Sequence, residues 1–233
     1  MRSQPLRPFH LVVFDVAGTT VLDGDAVLEC LQHALGPHIS ASMQDVREVM
    51  GLPKPVAIRQ LLQLHDHGDA SAPLVDAVHE EFRSAVIARY RDDGAIAPVP
   101  GALKVFEALR RAGIAVALDT GFSRDILDVL LTRLGWTNGV GIDFSVTSDE
   151  VQRGRPYPDL IHRAMQLANV RDPWNVIKVG DTPFDVLEGL AAHCGLVVGV
   201  TYGTHSRSEL ERPDVVTIDT LPALLPLAGV GAA

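Results

Sequence analysis

The stretch from Phe14 to Thr20 combines a carboxylate, a glycine and two hydroxyl groups within a few residues. It continues the apolar run 11–14, which predicts a buried parallel strand with Asp15 at its end. An aspartate at the carboxyl end of such a strand lies where open α/β sheets bind their ligands. Asp15 is therefore the first candidate for chemistry, as a nucleophile or as a metal ligand.

Three further loops with polar side chains follow predicted strands: Thr120-Gly121, 153–158 and 181–185. Right-handed crossovers bring the carboxyl ends of parallel strands to one edge of a sheet, so these loops are expected to meet Asp15 there. Each loop alone is a weak signal, because strand-end aspartates and Thr-Gly pairs are common. Their order along the chain, with a long helical insertion between the first and the second, makes the combination strong.

These motifs resemble the haloacid dehalogenase superfamily, and Ala17 narrows the resemblance to its phosphonatase (phosphonoacetaldehyde hydrolase) branch. Most phosphatases of the superfamily have a second aspartate at that position, whereas the pattern Asp15-x-Ala17-Gly-Thr-Thr follows the phosphonatases. The run Met50-Gly51-Leu52-Pro53-Lys54 matches their Met-Gly-Leu-x-Lys segment, whose lysine forms an imine with the substrate aldehyde. The resemblance continues through Gly154–Pro158 and Gly180-Asp181-Thr182, so it spans most of the chain.

The resemblance implies a Mg²⁺-dependent hydrolase that works through an aspartyl-phosphate. Magnesium prefers oxygen ligands and would bridge the nucleophile and an anionic phosphonate or phosphate substrate. The implied catalytic residues are Asp15, Lys54, Thr120 and Arg155. The implied substrate-binding residues are Ala17, Met50, Gly51, Gly121 and Phe122. The implied metal ligands are Asp15, the backbone carbonyl of Ala17, Asp181 and Asp185, the last directly or through water.

Ala17 and Lys54 explain each other chemically. A carbon leaving group is too basic to depart as a bare carbanion, and an imine at the neighbouring carbon lets it leave as an enamine instead. An acid at position 17 is then unnecessary. Lys54 must be neutral to attack a carbonyl, and both the start of a helix and burial under a cap disfavour its ammonium form.

Three positions depart from the phosphonatase pattern. Ala57 stands where the family usually has a histidine that shuttles protons, and Phe122 stands where it commonly has a tyrosine. Asp25 stands where a cysteine can occur near the entrance. The leading hypothesis is cleavage of the carbon–phosphorus bond of phosphonoacetaldehyde or a close analogue. The alternatives are a phosphatase for small phosphate monoesters and a non-catalytic binder of phosphorylated ligands. Asp15 counts against the binder, which would not need a nucleophile.

The pattern along the chain predicts an α/β fold, a doubly wound parallel sheet with an inserted all-helical cap. Residues 1–22 and 99–233 form the predicted core domain, and residues 23–98 form the predicted cap. Helical periodicity predicts cap helices over 26–35, from 42, from 55 and over 74–90. In the core, helices are predicted over 103–111, 125–134, 157–168 and 186–192, and strands over 11–14, 114–118, 144–146, 176–179 and 196–200.

The whole sequence excludes several other classes of protein. It has 233 residues and a formal net charge of -9 without a cluster of Lys and Arg, which argues against a nucleic-acid partner. Its two cysteines, Cys30 and Cys194, are too few for a disulfide framework, and a cytoplasmic location is expected. The first ten residues lack the apolar core of a signal peptide, and no run is long enough for a membrane span. The sequence does not determine the oligomeric state, for which a homodimer is one expectation.

Overall fold

The computed structural model describes residues 9–65, 68 and 70–231. Its centre is a six-stranded, fully parallel sheet with helices on both faces, so the predicted fold class is confirmed. No helix in the described ranges has the length and hydropathy needed to cross a membrane. The expectation about a signal peptide concerns the chain start, of which residues 1–8 lie outside the described residues.

The strands, in chain order, are β1 Leu11–Phe14, β2 Val21–Leu22, β3 Ala97–Pro98, β4 Ala115–Thr120, β5 Thr137–Asn138, β6 Gly141–Ile142, β7 Phe144–Thr147, β8 Val176–Gly180, β9 Leu196–Val200 and β10 Val215–Ile218. The α-helices are α1 Ala26–Leu35, α2 Met43–Glu48, α3 Lys54–Leu64, α4 Ala72–Asp92, α5 Ala102–Arg111, α6 Arg124–Leu134, α7 Asp159–Leu167, α8 Pro183–Ala191, α9 Arg207–Leu210 and α10 Leu224–Leu227. Short 3₁₀ helices cover Ser148–Glu150, Pro173–Asn175 and Leu221–Ala223.

The strand order β10-β9-β8-β1-β4-β7 puts β1 at a topological switch point. From β1 the chain first builds β4 and β7 on one side, and it then crosses to build β8, β9 and β10 on the other. The carboxyl ends of β1, β4 and β8 are consequently neighbours, and a crevice forms where the winding direction reverses. The loops that follow these three strands carry most of the predicted site.

The central strands are buried on both faces, which accounts for their continuous apolar runs. In β1, Val12 and Phe14 belong to one hydrophobic cluster, whereas Leu11 and Val13 belong to the cluster on the opposite face. β4 extends to Thr120, two residues beyond the predicted strand end at 118, so Asp119 lies within the sheet. The prediction also omits β10, which adds an edge strand beside β9.

Helices α1–α4 are inserted between β2 and β3, which pair with each other in antiparallel orientation. Two-residue strands are too short to produce a periodic pattern, so the sequence does not predict this ribbon. A hydrophobic cluster runs without interruption from cap residues such as Leu31 and Phe82 to core residues such as Phe14 and Phe106. The division into a core domain and a cap domain stays a prediction.

Two local signals in the cap are confirmed. Ser42 and Asp45 form a capping box at the start of α2, with the Asp45 amide donating to Ser42 Oγ at 3.1 Å. Pro55 lies in the first turn of α3, where its missing N–H costs no helical hydrogen bond. Helix α3 therefore begins at Lys54, directly after the Met50–Pro53 interruption.

Candidate active site

Asp15 stands immediately after β1, and its side chain is almost fully buried. Its amide donates to the Val179 carbonyl at 2.9 Å, which extends the pairing with β8, and Thr20 Oγ1 donates to the Asp15 carbonyl at 3.0 Å. Arg155 Nη1 donates to Asp15 Oδ1 at 2.6 Å. The predicted nucleophile and the predicted charge-stabilising arginine are therefore in direct contact.

Arg155 belongs to a buried network that is called here the ion cluster. Besides Asp15, the guanidinium contacts Asp119, Asp185 at 3.1 Å and Glu188 at 2.9 Å. Lys178 joins the same carboxylates, with its ammonium in contact with Asp119, 3.2 Å from Asp185 and 3.0 Å from Glu188. The members of the ion cluster are Asp15, Asp119, Arg155, Lys178, Asp185 and Glu188. It contains four carboxylates and two cations.

Burial and the excess of carboxylates raise the pKa values of three acidic groups at the site. Burial raises the pKa of Asp15 well above its ordinary value, in spite of Arg155, and the negative charges of Asp185 and Asp181 add to the rise. Burial and the Asp185 charge raise the pKa of Asp181 to about 6. Burial raises the pKa of Glu188 to about 8. Repulsion among these groups means that a further cation would favour their ionised forms.

The carboxylates fit a magnesium ion. One oxygen from each of Asp15, Asp119 and Asp185 lies within 4.8 Å of the other two. Asp119 Oδ2 is buried and has no hydrogen-bond partner among the described residues. Hard carboxylate oxygens are the ligands that Mg²⁺ prefers, and their net negative charge is of the right sign.

The predicted ligand set differs from this grouping in one member. Asp15 and Asp185 are brought together as predicted, but the third carboxylate near both is Asp119 rather than Asp181. Asp181 instead accepts hydrogen bonds from Thr19 Oγ1 at 2.8 Å and from the Thr204 amide at 2.7 Å. It stays adjacent to the Asp15 loop, and the assignment of Asp181 and of the Ala17 carbonyl as ligands stays a prediction.

Asp181 lies so close to the Asp15 loop that position 18 has room only for a glycine. The φ of Gly18 is +84°, and a Cβ at this position would lie 2.3 Å from Asp181 Oδ2. Any other residue would have a strained backbone at this φ, and its Cβ would push the Asp181 carboxylate away. The glycine of the first motif thus permits contact between the loops after β1 and β8.

The segment Met50–Lys54, called here the cap loop, lies on three loops of the core. A Cβ on Gly121 would lie 2.6 Å from the Leu52 carbonyl oxygen, and a Cβ on Gly51 would lie 2.4 Å from Thr182 Oγ1. A Cβ on Gly154 would lie 2.3 Å from Pro53 Cγ. These glycines allow the cap loop to close over the carboxyl edge of the sheet.

The closure buries Lys54, which is only 3 % exposed. Its Nζ lies 5.3 Å from the centroid of the Phe122 ring and 3.4 Å from the Leu52 carbonyl oxygen. The pKa of Lys54 falls to about 8, because burial disfavours the ammonium more than the Asp15 charge favours it, and the Arg155 charge adds to the fall. A substantial share of Lys54 is therefore a neutral amine at slightly alkaline pH.

The remaining predicted residues lie around the same closure. Thr120 is buried at the end of β4, where its Oγ1 accepts a hydrogen bond from the Phe122 amide at 3.2 Å. Ala17 and Met50 line one small pocket together with Asp23. The structure therefore groups the predicted catalytic and substrate-binding residues where cap and core meet.

Asp119, Lys178 and Glu188 are site residues that the sequence reasoning missed. Lys178 interrupts the apolar run of β8, and an interior lysine in a strand that is otherwise buried on both faces is a signal for a paired charge. Asp119 directly precedes Thr120, and Glu188 is the residue three after Asp185 on α8. A helix brings residues three apart to the same face, so the position of Asp185 could have indicated Glu188.

Comparisons with known proteins agree with these features. A sequence profile described as haloacid dehalogenase-like hydrolase matches residues 12–198. A curated relative from Bacillus mycoides, named phosphonoacetaldehyde hydrolase, is 33% identical over 227 residues, which cover 90% of this chain and 82% of the relative.

Solved structures with the same fold include relatives of two descriptions. A phosphonoacetaldehyde hydrolase-like protein from Oleispira antarctica has a TM-score of 0.80 at 21% identity and covers 98% of this chain and 97% of its own. A predicted phosphoglycolate phosphatase from Haemophilus somnus has a TM-score of 0.76 at 20% identity and covers 95% of this chain and 99% of its own. At these identities the likeness shows the fold alone.

Proposed function

Because this chain belongs to the haloacid dehalogenase-like hydrolases, we propose that it cleaves the carbon–phosphorus bond of phosphonoacetaldehyde or a close analogue. The observation that carries the proposal is the burial of Lys54 at the end of the cap loop, which lowers the pKa of its amine to about 8. Asp15 is close enough for its charge to act on the same amine. Ala17, two residues after Asp15, provides no acid for a phosphate-ester leaving group. The relatives named phosphonoacetaldehyde hydrolase support the same reading.

In the proposed reaction an Asp15 oxygen attacks phosphorus while the carbon–phosphorus bond breaks. Arg155 donates to Asp15 Oδ1, so it favours the ionised nucleophile and lies close enough to offset charge that develops on the phosphoryl oxygens. Thr120 and the Gly121 amide stand at the end of the neighbouring strand and would bond those oxygens. Water then hydrolyses the aspartyl-phosphate and releases inorganic phosphate.

Lys54 handles the carbon side of the same bond. Its neutral amine adds to the aldehyde carbonyl and water is lost, which gives an iminium ion next to the carbon that bears phosphorus. When the bond breaks, the electron pair moves into the iminium and forms an enamine. Proton uptake at carbon and hydrolysis then regenerate Lys54 and release acetaldehyde, if phosphonoacetaldehyde is the substrate.

Asp15 and Asp185, with Asp119 or Asp181 and the Ala17 carbonyl, would hold the magnesium ion. When bound, the ion neutralises the repulsion between the Asp15 carboxylate and an anionic substrate and polarises the phosphoryl group. Within the chain, Lys178 keeps Asp119, Asp185 and Glu188 together as an ion-paired unit. We expect this pairing to keep the carboxylates oriented toward the reacting phosphorus.

The proposal is tested by offering phosphonoacetaldehyde beside a panel of sugar and nucleotide phosphates and measuring released inorganic phosphate. Borohydride added with phosphonoacetaldehyde should reduce the imine to a secondary amine, which peptide mass mapping should locate at Lys54. Lys54→Arg should lose both the adduct and the activity, because a guanidinium stays protonated. Lys104→Arg is a matched control, since Lys104 lies outside the site at the start of α5.

A phosphatase for small phosphate monoesters is the second candidate. Ala57 and Phe122 favour it, because they replace the histidine and tyrosine with which the phosphonatases handle the aldehyde. In that case Lys54 would serve as a buried cation that binds substrate, and substrate or water would protonate the leaving group. Faster release from a phosphate ester than from phosphonoacetaldehyde, with no Lys54 adduct, would establish this alternative. Tight phosphate binding without turnover of any compound would indicate a non-catalytic binder.

A further inference from the structure

Formation of an imine at Lys54 requires a group that moves protons. The carbinolamine hydroxyl must be protonated before it leaves as water, and hydrolysis of the iminium needs the reverse transfer. On α3 itself, Ala57 stands one turn after Lys54 and has no titratable group. A proton donor must therefore come from another element.

Asp23 has a suitable position. It lies between β2 and α1, is half-buried, and lines the same small pocket as Ala17 and Met50. Ala17 belongs to the Asp15 loop and Met50 to the cap loop, so this pocket lies between the nucleophile and the lysine segment. Asp23 therefore lies beside both the Asp15 loop and the cap loop.

Tyr90 connects Asp23 to the surroundings of Lys54. The fully buried Tyr90 hydroxyl lies 3.5 Å from Asp23 Oδ2, at the limit of a hydrogen bond. The Tyr90 ring meets the Phe122 ring edge-on at a centroid distance of 5.9 Å, and Lys54 Nζ lies 5.3 Å from the same Phe122 ring. Tyr90 and Lys54 thus both contact the Phe122 ring.

The pKa shifts of Asp23 and Lys54 also support placing these two residues in one site. Burial raises the pKa of Asp23, against the effect of the Val27 amide, and the Asp25 charge adds to the rise. Asp23 in turn raises the pKa of Lys54, although less than burial lowers it. Near neutral pH, a larger fraction of Asp23 is therefore protonated than of an ordinary aspartate. Lys54, in turn, is deprotonated more readily than an ordinary lysine.

We propose that Asp23 is the acid–base group of imine formation and hydrolysis at Lys54, and that Tyr90 is a positioning residue for it. This inference rests on the proposed function. After the Lys54 amine adds to the aldehyde, Asp23 gives its proton to the carbinolamine hydroxyl and water departs. The nitrogen lone pair closes the C=N bond, and Asp23 is left as a carboxylate. In hydrolysis it takes a proton from the attacking water and regains its acid form.

Other groups that face Lys54 are Asp15, Arg155 and His79. Asp15 is committed to phosphorus, and Arg155 cannot give up a proton at neutral pH. His79 on α4 is the competitor, because burial and the Lys54 charge lower its pKa. Its ring stacks on Phe82 at 6.4 Å, and Asp23 rather than His79 lines the pocket that includes Ala17.

A structural role for Asp23 must be separated from a catalytic one. Its carboxylate accepts a hydrogen bond from the Val27 amide at the start of α1. Asn is as good an acceptor there, so Asp23→Asn keeps this contact while it removes the acidic proton and the charge that raises the pKa of Lys54. Loss of that charge alone would favour the neutral amine, so slower trapping would report the lost acid. Asp76→Asn is the matched control, because Asp76 is exposed on α4 of the cap and does not line the pocket that contains Asp23.

The experiment measures how fast Lys54 is trapped by borohydride with phosphonoacetaldehyde, between pH 6 and pH 9, in the full-length protein. Asp23→Asn should slow trapping by about 100-fold at pH 7, which is within the usual range for general acid–base catalysis. In the wild type the trapping rate should decline as pH rises and Asp23 loses its proton. This decline should be absent in Asp23→Asn. Asp23→Glu should restore part of the rate, Tyr90→Phe should lower it less and shift the pH profile, and Asp76→Asn should leave it unchanged.

Three results would overturn the inference while leaving the proposed function intact. These are trapping at the wild-type rate in Asp23→Asn, equal slowing in Asp23→Asn and Asp76→Asn, or slowing in His79→Gln without slowing in Asp23→Asn. Absence of any Lys54 adduct in the wild-type protein would instead overturn the proposed function itself. Melting temperatures identify a variant that fails to fold, and in that case Tyr90→Phe and the wild-type pH profile still decide the role of Asp23.

Discussion

Among single residues, Asp15 differs from the other carboxylates of the ion cluster because it directly follows the central strand β1 and its charge acts on Lys54. Asp15→Asn should reduce turnover by at least about 1000-fold, or roughly 4 kcal/mol of transition-state stabilisation, because an amide is a poor nucleophile and a weak metal ligand. Phosphate release and circular dichroism together test this. Activity within tenfold of wild type in a folded variant would remove Asp15 from the role of nucleophile.

The burial of Lys54 leads to a second prediction, which concerns the free energy of unfolding. Its pKa falls from 10.5 to about 8 because burial disfavours the ammonium. Below pH 8 the buried ammonium therefore destabilises the native state by roughly 3 kcal/mol, and this cost fades between pH 8 and pH 10.5 as the unfolded lysine also loses its proton.

Lys54→Met should consequently raise the free energy of unfolding by about 2–3 kcal/mol at pH 7 while it abolishes activity. The gain should be clearly smaller at pH 9.5. Urea denaturation at the two pH values measures it. A variant that is no more stable than wild type at pH 7 would mean that Lys54 is solvated, with an ordinary lysine pKa.

At the scale of elements, the contact between the cap loop and Gly121 controls closure. Gly121→Ala would put a methyl group 2.6 Å from the Leu52 carbonyl oxygen, so the cap loop must shift away from the sheet edge. We expect kcat/KM to fall by about 10- to 100-fold, because small misplacements of reacting groups are costly, while global stability changes little.

Gly94→Ala is the control for this substitution. Gly94 has no atom within 4 Å of a Cβ and lies in the connection between α4 and β3, away from the cap loop. Its kinetic constants should equal those of the wild type. If Gly121→Ala were as active as Gly94→Ala, the cap loop would have to move freely, and the observed closure would be irrelevant to the reaction.

At the scale of the whole molecule, a net charge of -9 and an ion cluster with excess carboxylates predict that Mg²⁺ stabilises the fold. At 100 times its dissociation constant, a ligand specific for the native state contributes about 2.7 kcal/mol. For a chain of this size, we expect the melting temperature to rise by roughly 5–10 °C.

The melting curves should be recorded in chelator, with added Mg²⁺, and for Asp185→Asn under both conditions. The variant should show little response, because one of the three grouped carboxylates becomes neutral. The same additions test activity, which chelation should stop and Mg²⁺ restore. Calcium should bind but inhibit, since its larger and looser coordination can draw in both Asp15 oxygens. Equal melting temperatures and full activity in chelator would contradict a metal site.

The amino-acid sequence was sufficient to predict the fold class and the grouping of Asp15, Thr120, Arg155 and Asp185 at one sheet edge. Buried parallel strands have continuous apolar runs, and the fixed hand of their crossovers brings the following loops to one edge. Both signals are local or follow from chirality. The match between Met50–Lys54 and the phosphonatase segment likewise depended only on consecutive residues.

The pairing of the buried charges and the position of the cap loop on the core could not be predicted from the sequence and became visible only in the folded chain. Lys178 lies in an apolar strand and Glu188 on an ordinary helix, and nothing in their local patterns indicates that Lys178 pairs with both Asp119 and Glu188. The same holds for Asp23 and Tyr90, which are 67 residues apart. Periodicity reports which face of an element is buried, but the partner across that face depends on how whole elements pack, and this is settled by many weak contacts at once.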